Sequence, residues 1–166
     1  MNRLVLFGKL PAHGDFVARG LSTNERAWWD GALSAGLVAA GGVAMSTAAY
    51  DRAPPWRFLL SRPEGELSGT LAASMDAAGR RFPVMVAYRG RDSAMAAGCE
   101  MAVYDALADG WTADALLAAV RAADAPPPPV ARGWWVDGGA VDGHAPVEDG
   151  DPAVVIPAMI ALGAMA

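Results

Sequence analysis

The run WRFLLSRPEGELSGTLAASMDAAGRRFPVMVAY, Trp56 to Tyr88, decides the fold. Trp56 to Leu60 is apolar apart from Arg57 and reads as a strand. Pro63 to Glu66 forms a turn, and Leu67 to Ser74 can pair back despite Gly69. Met75 to Arg81 is a polar connection. Phe82 to Tyr88 is again strand-like, and Pro83 sets its start at a sheet end or edge. Three strands in succession predict an antiparallel meander.

Helices should pack on that meander. N-terminal to it, Ser22 and Glu25 have capping-box spacing, so a helix should start there. Trp29, Leu33 and Leu37 give that helix an apolar stripe, widened by Trp28, and Gly41-Gly42 ends it. Gly31 and Gly36 weaken it or mark close packing. Val43 to Asp51 reads as a second, short helix stopped by Pro54-Pro55. Leu4 to Phe7 is continuously apolar, as in a strand covered on both faces. C-terminal to the meander, Arg91 to Gly110 is helical, with Met95, Cys99, Ala102 and Leu107 on one side. A further helix runs from Thr112, its N-cap, to Asp124, with Leu116 and Val120 on its stripe. Pro126 to Pro129 is an extended connector, Trp134 to Asp137 a last strand, and Gly138 to Asp151 a loop. Asp151-Pro152 is a good helix start, so the tail reads as a helix kinked at Pro157, with strand as the alternative. The expected whole is one α/β (α+β) domain over residues 1–166, its mainly antiparallel sheet flanked by helices. Trp29, Leu33, Leu37, Phe58, Val84 and Val86 should be mostly buried.

Composition narrows the function. The chain has 166 residues and is 54% hydrophobic, much of that Ala, so the core must lean on its six Trp, four Phe and eight Met. A net charge of −5 argues against a nucleic-acid partner. A single cysteine, Cys99, cannot close an internal disulfide, which fits the cytoplasm. No secretion signal is visible. The apolar tail from Ala153 is shorter than the roughly 20 residues of a spanning helix and is interrupted by Pro157, so no stable membrane insertion is expected.

Phe7 to Leu21 carries the most unusual chemistry. It holds the chain's single lysine, Lys9, one of its two histidines, His13, and glycines at 8, 14 and 20 around Pro11. Glycine and proline shape a loop, and polar groups at set points on it (Lys9, His13, Asp15, Arg19) suggest a recognition surface. Catalytic patterns fail around it. Gly8-Lys9 lacks the rest of a phosphate loop, since Arg3 and Leu10 stand where Gly and Ser or Thr are needed. His13 and Asp15 could begin a metal or acid–base site, with His144 or Asp142 as third partner, but two histidines and one cysteine are a thin supply. Asp137, Asp142, Asp149 and Asp151 lack the spacing of a calcium loop. Cys99 reads as core. No catalytic residue, metal or cofactor is therefore expected, and a hydrolase or metal protein using His13 and Asp15 stands as the alternative.

Several blocks occur in a particular order: Gly8 to Leu21, Trp29-Asp30 with Leu33, Pro55-Trp-Arg-Phe58, Gly79-Arg-Arg-Phe-Pro83 and Trp134-Trp135. This order resembles the TagF (ImpM) family of bacterial type VI secretion, over nearly the whole chain. The resemblance implies a longin- or roadblock-like α/β domain. It also implies a cytoplasmic, non-catalytic repressor that acts after translation through the forkhead-associated (Fha) scaffold protein. A fold of this kind can also pair with small GTPases or with itself, so a homo-oligomer is compatible with it. The candidate binding residues are Lys9, His13, Asp15, Arg19, Trp28, Arg57, Arg80 and Arg81. Because Asp15 and the Arg80-Arg81 pair lie in separate blocks of the pattern, Asp15 is expected beside one of these arginines, holding the loop in shape.

Overall fold

The computed structural model describes residues 3–136, 146–148 and 150–165. Its strands are β1 (Leu4–Gly8), β2 (Val17–Arg19), β3 (Trp56–Arg62), β4 (Gly65–Ala72), β5 (Val84–Arg89), β6 (Gly133–Trp135) and β7 (Val147–Glu148). Among the described residues they form one sheet in the order β2-β1-β5-β4-β3-β6-β7. Every adjacent pair is antiparallel. The expected meander is its centre, β3-β4-β5. The first strand then docks against β5 instead of β3, which brings the loop after β1 beside the link between β4 and β5.

The helices are α1 (Thr23–Ala39), α2 (Thr47–Asp51), α3 (Ser93–Asp109), α4 (Ala113–Ala119) and α5 (Pro152–Met165), with a 3-10 turn at Gly42–Ala44. They cover both faces of the sheet, and the strands show why. Val5 and Phe7 of β1, with Met85 and Ala87 of β5, join Trp29, Leu33, Val155 and Ile156 in one core. Leu6, Val84 and Val86 point the other way, into a core with Cys99, Val103, Ala106 and Leu116. Successive strand residues face opposite sides, so a strand covered twice must be apolar throughout. Trp29, Trp56 and Trp134 are fully buried and supply the bulk that an Ala-rich chain otherwise lacks.

Local signals worked where the chemistry is local. Ser22 and Glu25 form the reciprocal capping box. Thr112 caps α4 through the N–H of Ala115. Gly36 marks close packing, because a Cβ there would press on Ile156 of α5; Gly31 meets nothing and only weakens α1. Leu37 is only half-buried, at the margin of the first core.

Three expectations change. Helix α4 ends at Ala119, not Asp124, because Val120 turns extended and the chain then runs along α3, donating from Ala123 N–H to Ala94 O. Gly98 makes room for that passage: a Cβ there would strike the Arg121 carbonyl. The segment from Phe7 to Leu21, read as one loop, contains strand β2, paired with β1, whereas the tail takes the helical one of its two readings, with Pro157 inside it and Gly163 packed against the Ala49 carbonyl of α2. The strand read as the last is Gly133–Trp135, and Val136 already lies outside it. Asp137, most of the Gly138 to Asp151 loop with Asp142 and His144, and Asp149 lie outside the described residues.

Candidate functional site

Lys9 stands just past β1 and is buried. Its Nζ donates to Asp76 Oδ2 at 2.9 Å and lies 4.7 Å from the centre of the Phe16 ring. Asp76 opens the turn between β4 and β5, and its carboxylate is fully enclosed. Oδ1 accepts the N–H groups of Ala78 and Arg80 at 2.9 and 3.0 Å. Oδ2 accepts both Lys9 Nζ and Arg80 Nε, the latter at 2.8 Å. Burial alone would raise the pKa of this carboxyl. The bonds from Lys9, the two backbone N–H groups and the Arg80 guanidinium outweigh it and hold the group well below the usual carboxylate range. Gly79, with φ 79°, closes the turn in the left-handed region that other residues avoid.

Around this carboxylate the two loops are laced together. Arg80 Nη2 donates to Gly14 O at 2.8 Å, and Ala77 N–H to His13 O at 2.8 Å. Ser74 Oγ donates to Lys9 O at 2.7 Å. The Tyr50 hydroxyl donates to Ser74 O and accepts Ser74 N–H, and burial pushes its pKa up. Gly8 (φ 137°) lies so close to β5 that a Cβ would strike the Pro83 carbonyl.

The same loop is fastened to α4. His13 Nε2 accepts the N–H of Ala113 at 3.0 Å, which places the proton of the neutral ring on Nδ1. Arg19 Nε donates to Asp114 Oδ1 at 2.8 Å, and that bond holds the Asp114 carboxyl below its ordinary range. His13 therefore completes the start of a helix that begins a hundred residues later in the chain.

Asp15 does not do what the sequence suggested. It is exposed, and its Oδ1 accepts the N–H of the next residue, Phe16. Arg80 is taken by Asp76, four residues before it in the same tight turn, and Arg81 makes two bonds, 2.8 and 2.7 Å, to Asp51 at the end of α2. The remaining candidates lie elsewhere. Arg57 is buried between β3 and α3, where Nε and Nη2 both reach Glu100 Oε2. Trp28 is half-buried on α1 with the Arg62 guanidinium 3.4 Å from its ring centre, beside a cavity of about 190 Å³ that Gly150 and Asp151 also line. The structure thus brings together Lys9, His13, Asp15, Arg19, Arg80 and Arg81, and separates Trp28 and Arg57 from them.

Asp76, Ser74, Tyr50 and Phe16 were missed. One signal was available: a lone lysine beside a strand covered on both faces needs an acid, and Asp76 followed by Gly79 has the look of a carboxylate-closed turn. Among the described residues no group of three or more His, Cys, Asp or Glu side chains is placed to hold a metal ion. Burial pushes the Cys99 thiol up to about 12, so it stays protonated at neutral pH. Among those residues, too, no helix is long and apolar enough to cross a membrane.

A family model described as the TagF N-terminal domain, type VI secretion system-associated, matches residues 5–127. The chain belongs to the TagF family. The matched stretch carries both halves of the clamp, Lys9 and Asp76, and stops before Trp134-Trp135, which the family model does not reach. Among solved structures, the crystal structure of PA0076 from Pseudomonas aeruginosa PAO1 is similar, with 28% sequence identity and a TM-score of 0.60. The similarity covers 75% of this chain and 64% of that one, so the chain spans under two thirds of the length of PA0076. No curated protein matches. The TagF match makes this a type VI secretion-associated protein.

Proposed function

We propose that this TagF-family chain is a non-catalytic, cytoplasmic repressor of type VI secretion, acting by contact with the Fha scaffold protein of the same system. The observation that supports this is where the polar groups of the Gly8 to Gly20 loop are spent. Lys9 is bound to Asp76, His13 Nε2 to a helix N–H, Arg19 to Asp114 and Arg80 to Asp76 and Gly14 O. Among the described residues the one buried side-chain polar atom without a partner is Trp56 Nε1, and it belongs to the core under α1 and α5. A nucleophile or general base needs a group free to meet substrate. Here the groups hold a surface in shape, which suits recognition.

The test is a binding titration of the purified chain against the purified Fha scaffold, paired with secretion measured in cells that overproduce the chain. The expected result is saturable binding and suppressed secretion, both retained by His13→Gln, whose amide oxygen can take the place of Nε2 as acceptor of the Ala113 N–H. A chain that neither binds the scaffold nor lowers secretion refutes the proposal. A hydrolytic activity abolished by His13→Gln, which keeps that acceptor but has no imidazole, would replace it with the enzymatic reading.

A further inference from the structure

We propose that the face built on Phe16 is a docking surface for an acidic segment of a partner protein that presents an apolar anchor side chain, a reading that rests on the contact-acting function above. Phe16 is 37% exposed, yet its ring is held on several sides. It stacks on Phe7 with centroids 6.0 Å apart and planes within 10°, meets Phe82 edge-on at 4.8 Å, and has the Lys9 ammonium 4.7 Å away. A ring already fixed by its neighbours surrenders little freedom when a partner covers it, so its contact area converts to affinity with small loss.

The charge around this ring identifies the partner. Lys9 lies beside it. Arg80, its side chain 62% exposed, is held by Asp76 and by the carbonyl of Gly14. Arg26 is exposed, lies 6.0 Å over the Phe7 ring on which Phe16 stacks, and makes no ion pair among the described residues. Among the groups that touch the Phe7 and Phe16 rings or are linked to those by hydrogen bonds, three are cations, Lys9, Arg26 and Arg80, and two are carboxylates, Asp76 and Asp15, so the patch has one positive charge in excess on a chain whose net charge is −5. An acidic partner is repelled by the molecule at large and drawn to this face, which orients the encounter. Carboxylates over Arg26 and Arg80 with an apolar side chain against Phe16 would match the patch.

The experiment is a titration of the Fha scaffold against folded variants, with association and dissociation rates read at two salt concentrations. Phe16→Ser should weaken binding about tenfold or more, the scale of an anchor residue. Arg26→Glu should weaken it mainly through slower association and with less dependence on salt. Asp15→Asn should strengthen it. Met101→Ser, exposed on α3 and outside the patch, should change nothing. If Phe16→Ser does not fold, Arg26→Glu and Asp15→Asn decide. Folded Phe16→Ser and Arg26→Glu that bind as the wild type does overturn the surface and leave the function standing. A wild type that does not bind the scaffold overturns both. A wild-type dimer that Arg26→Glu splits assigns the face to a second copy and overturns the proposal. So does retention on phosphatidylserine vesicles that Arg26→Glu abolishes, which assigns it to a lipid surface.

Discussion

Lys9–Asp76 and Arg57–Glu100 are both buried salt bridges, 2.9 and 2.8 Å long, and they do different work. Arg57 and Glu100 join a strand to a helix. Apolar contacts already hold that helix to the sheet, since Val84 and Val86 of the neighbouring strand β5 pack with Val103 and Ala106 of α3. Lys9 and Asp76 join two loops. There no ladder of backbone bonds fixes the geometry, and Asp76 additionally accepts two backbone N–H groups of its own turn. A pair inside a packed layer is one contact among many, whereas a pair between loops is what gives them a shape. The difference also explains why the surface proposed for recognition is polar underneath: irregular backbone must satisfy its hydrogen bonds with side chains.

This comparison can be broken at its strong end. Asp76→Ala strands a buried ammonium and two N–H groups at once, so it should give the largest fall in melting temperature of any variant named here. A melting point close to wild type would show that the clamp is dispensable. The depressed Asp76 carboxyl sharpens the test by pH. Its folded pKa lies below the unfolded value of about 3.9, so its contribution is complete above that value and is lost as pH falls toward the folded one. Wild type should lose stability below about pH 4, and Asp76→Asn should show a flatter acid limb in thermal melts.

The next largest effect belongs to the other pair. Glu100→Ala leaves Arg57 buried without its carboxylate and should cost about 3–5 kcal/mol in denaturant unfolding. The double variant Arg57→Met, Glu100→Leu should recover most of that loss, because the layer can absorb apolar side chains. The matching double variant Lys9→Met, Asp76→Leu should not recover, because no apolar group accepts the N–H bonds of Ala78 and Arg80. Equal recovery in both would erase the distinction.

The smallest effect is expected at Asp15. It is exposed and accepts one bond from its neighbour, so Asp15→Ala should leave the thermal melt unchanged. A large loss would return Asp15 to the structural role first inferred for it.

The fold was legible because its signals are local. The double-faced apolar β1 and β5, the Ser22–Glu25 box and the Thr112 cap depend on residues a few positions apart. The end of α4 was misread because Gly98, which admits the Arg121 carbonyl, lies on another helix. Of the candidate site, the loop and its arginines were legible as a group, since unusual residues crowd into Phe7 to Leu21. Their partners were not. Arg57 carried the same pattern signal as Arg80 yet serves the opposite layer, because in a strand one step of position changes the face.

By itself the sequence determined the central meander, the helices around it, the double covering of the first strand and the shaped polar segment that follows it; it left the tail open between helix and strand and did not show β2 or β7. Periodicity, capping and turn chemistry act over a few residues and need no knowledge of the rest of the chain. Only the tertiary structure decided that Lys9 meets Asp76, 67 positions away, that His13 completes a helix 100 positions away, and that Phe16 stays partly in solvent. Those outcomes follow from β1 docking antiparallel against β5, which sets the loop after the first strand beside the turn before the fifth. Which carboxylate reaches a buried ammonium is settled by that neighbourhood in space, and residue type alone left Asp15 and Asp76 equally eligible.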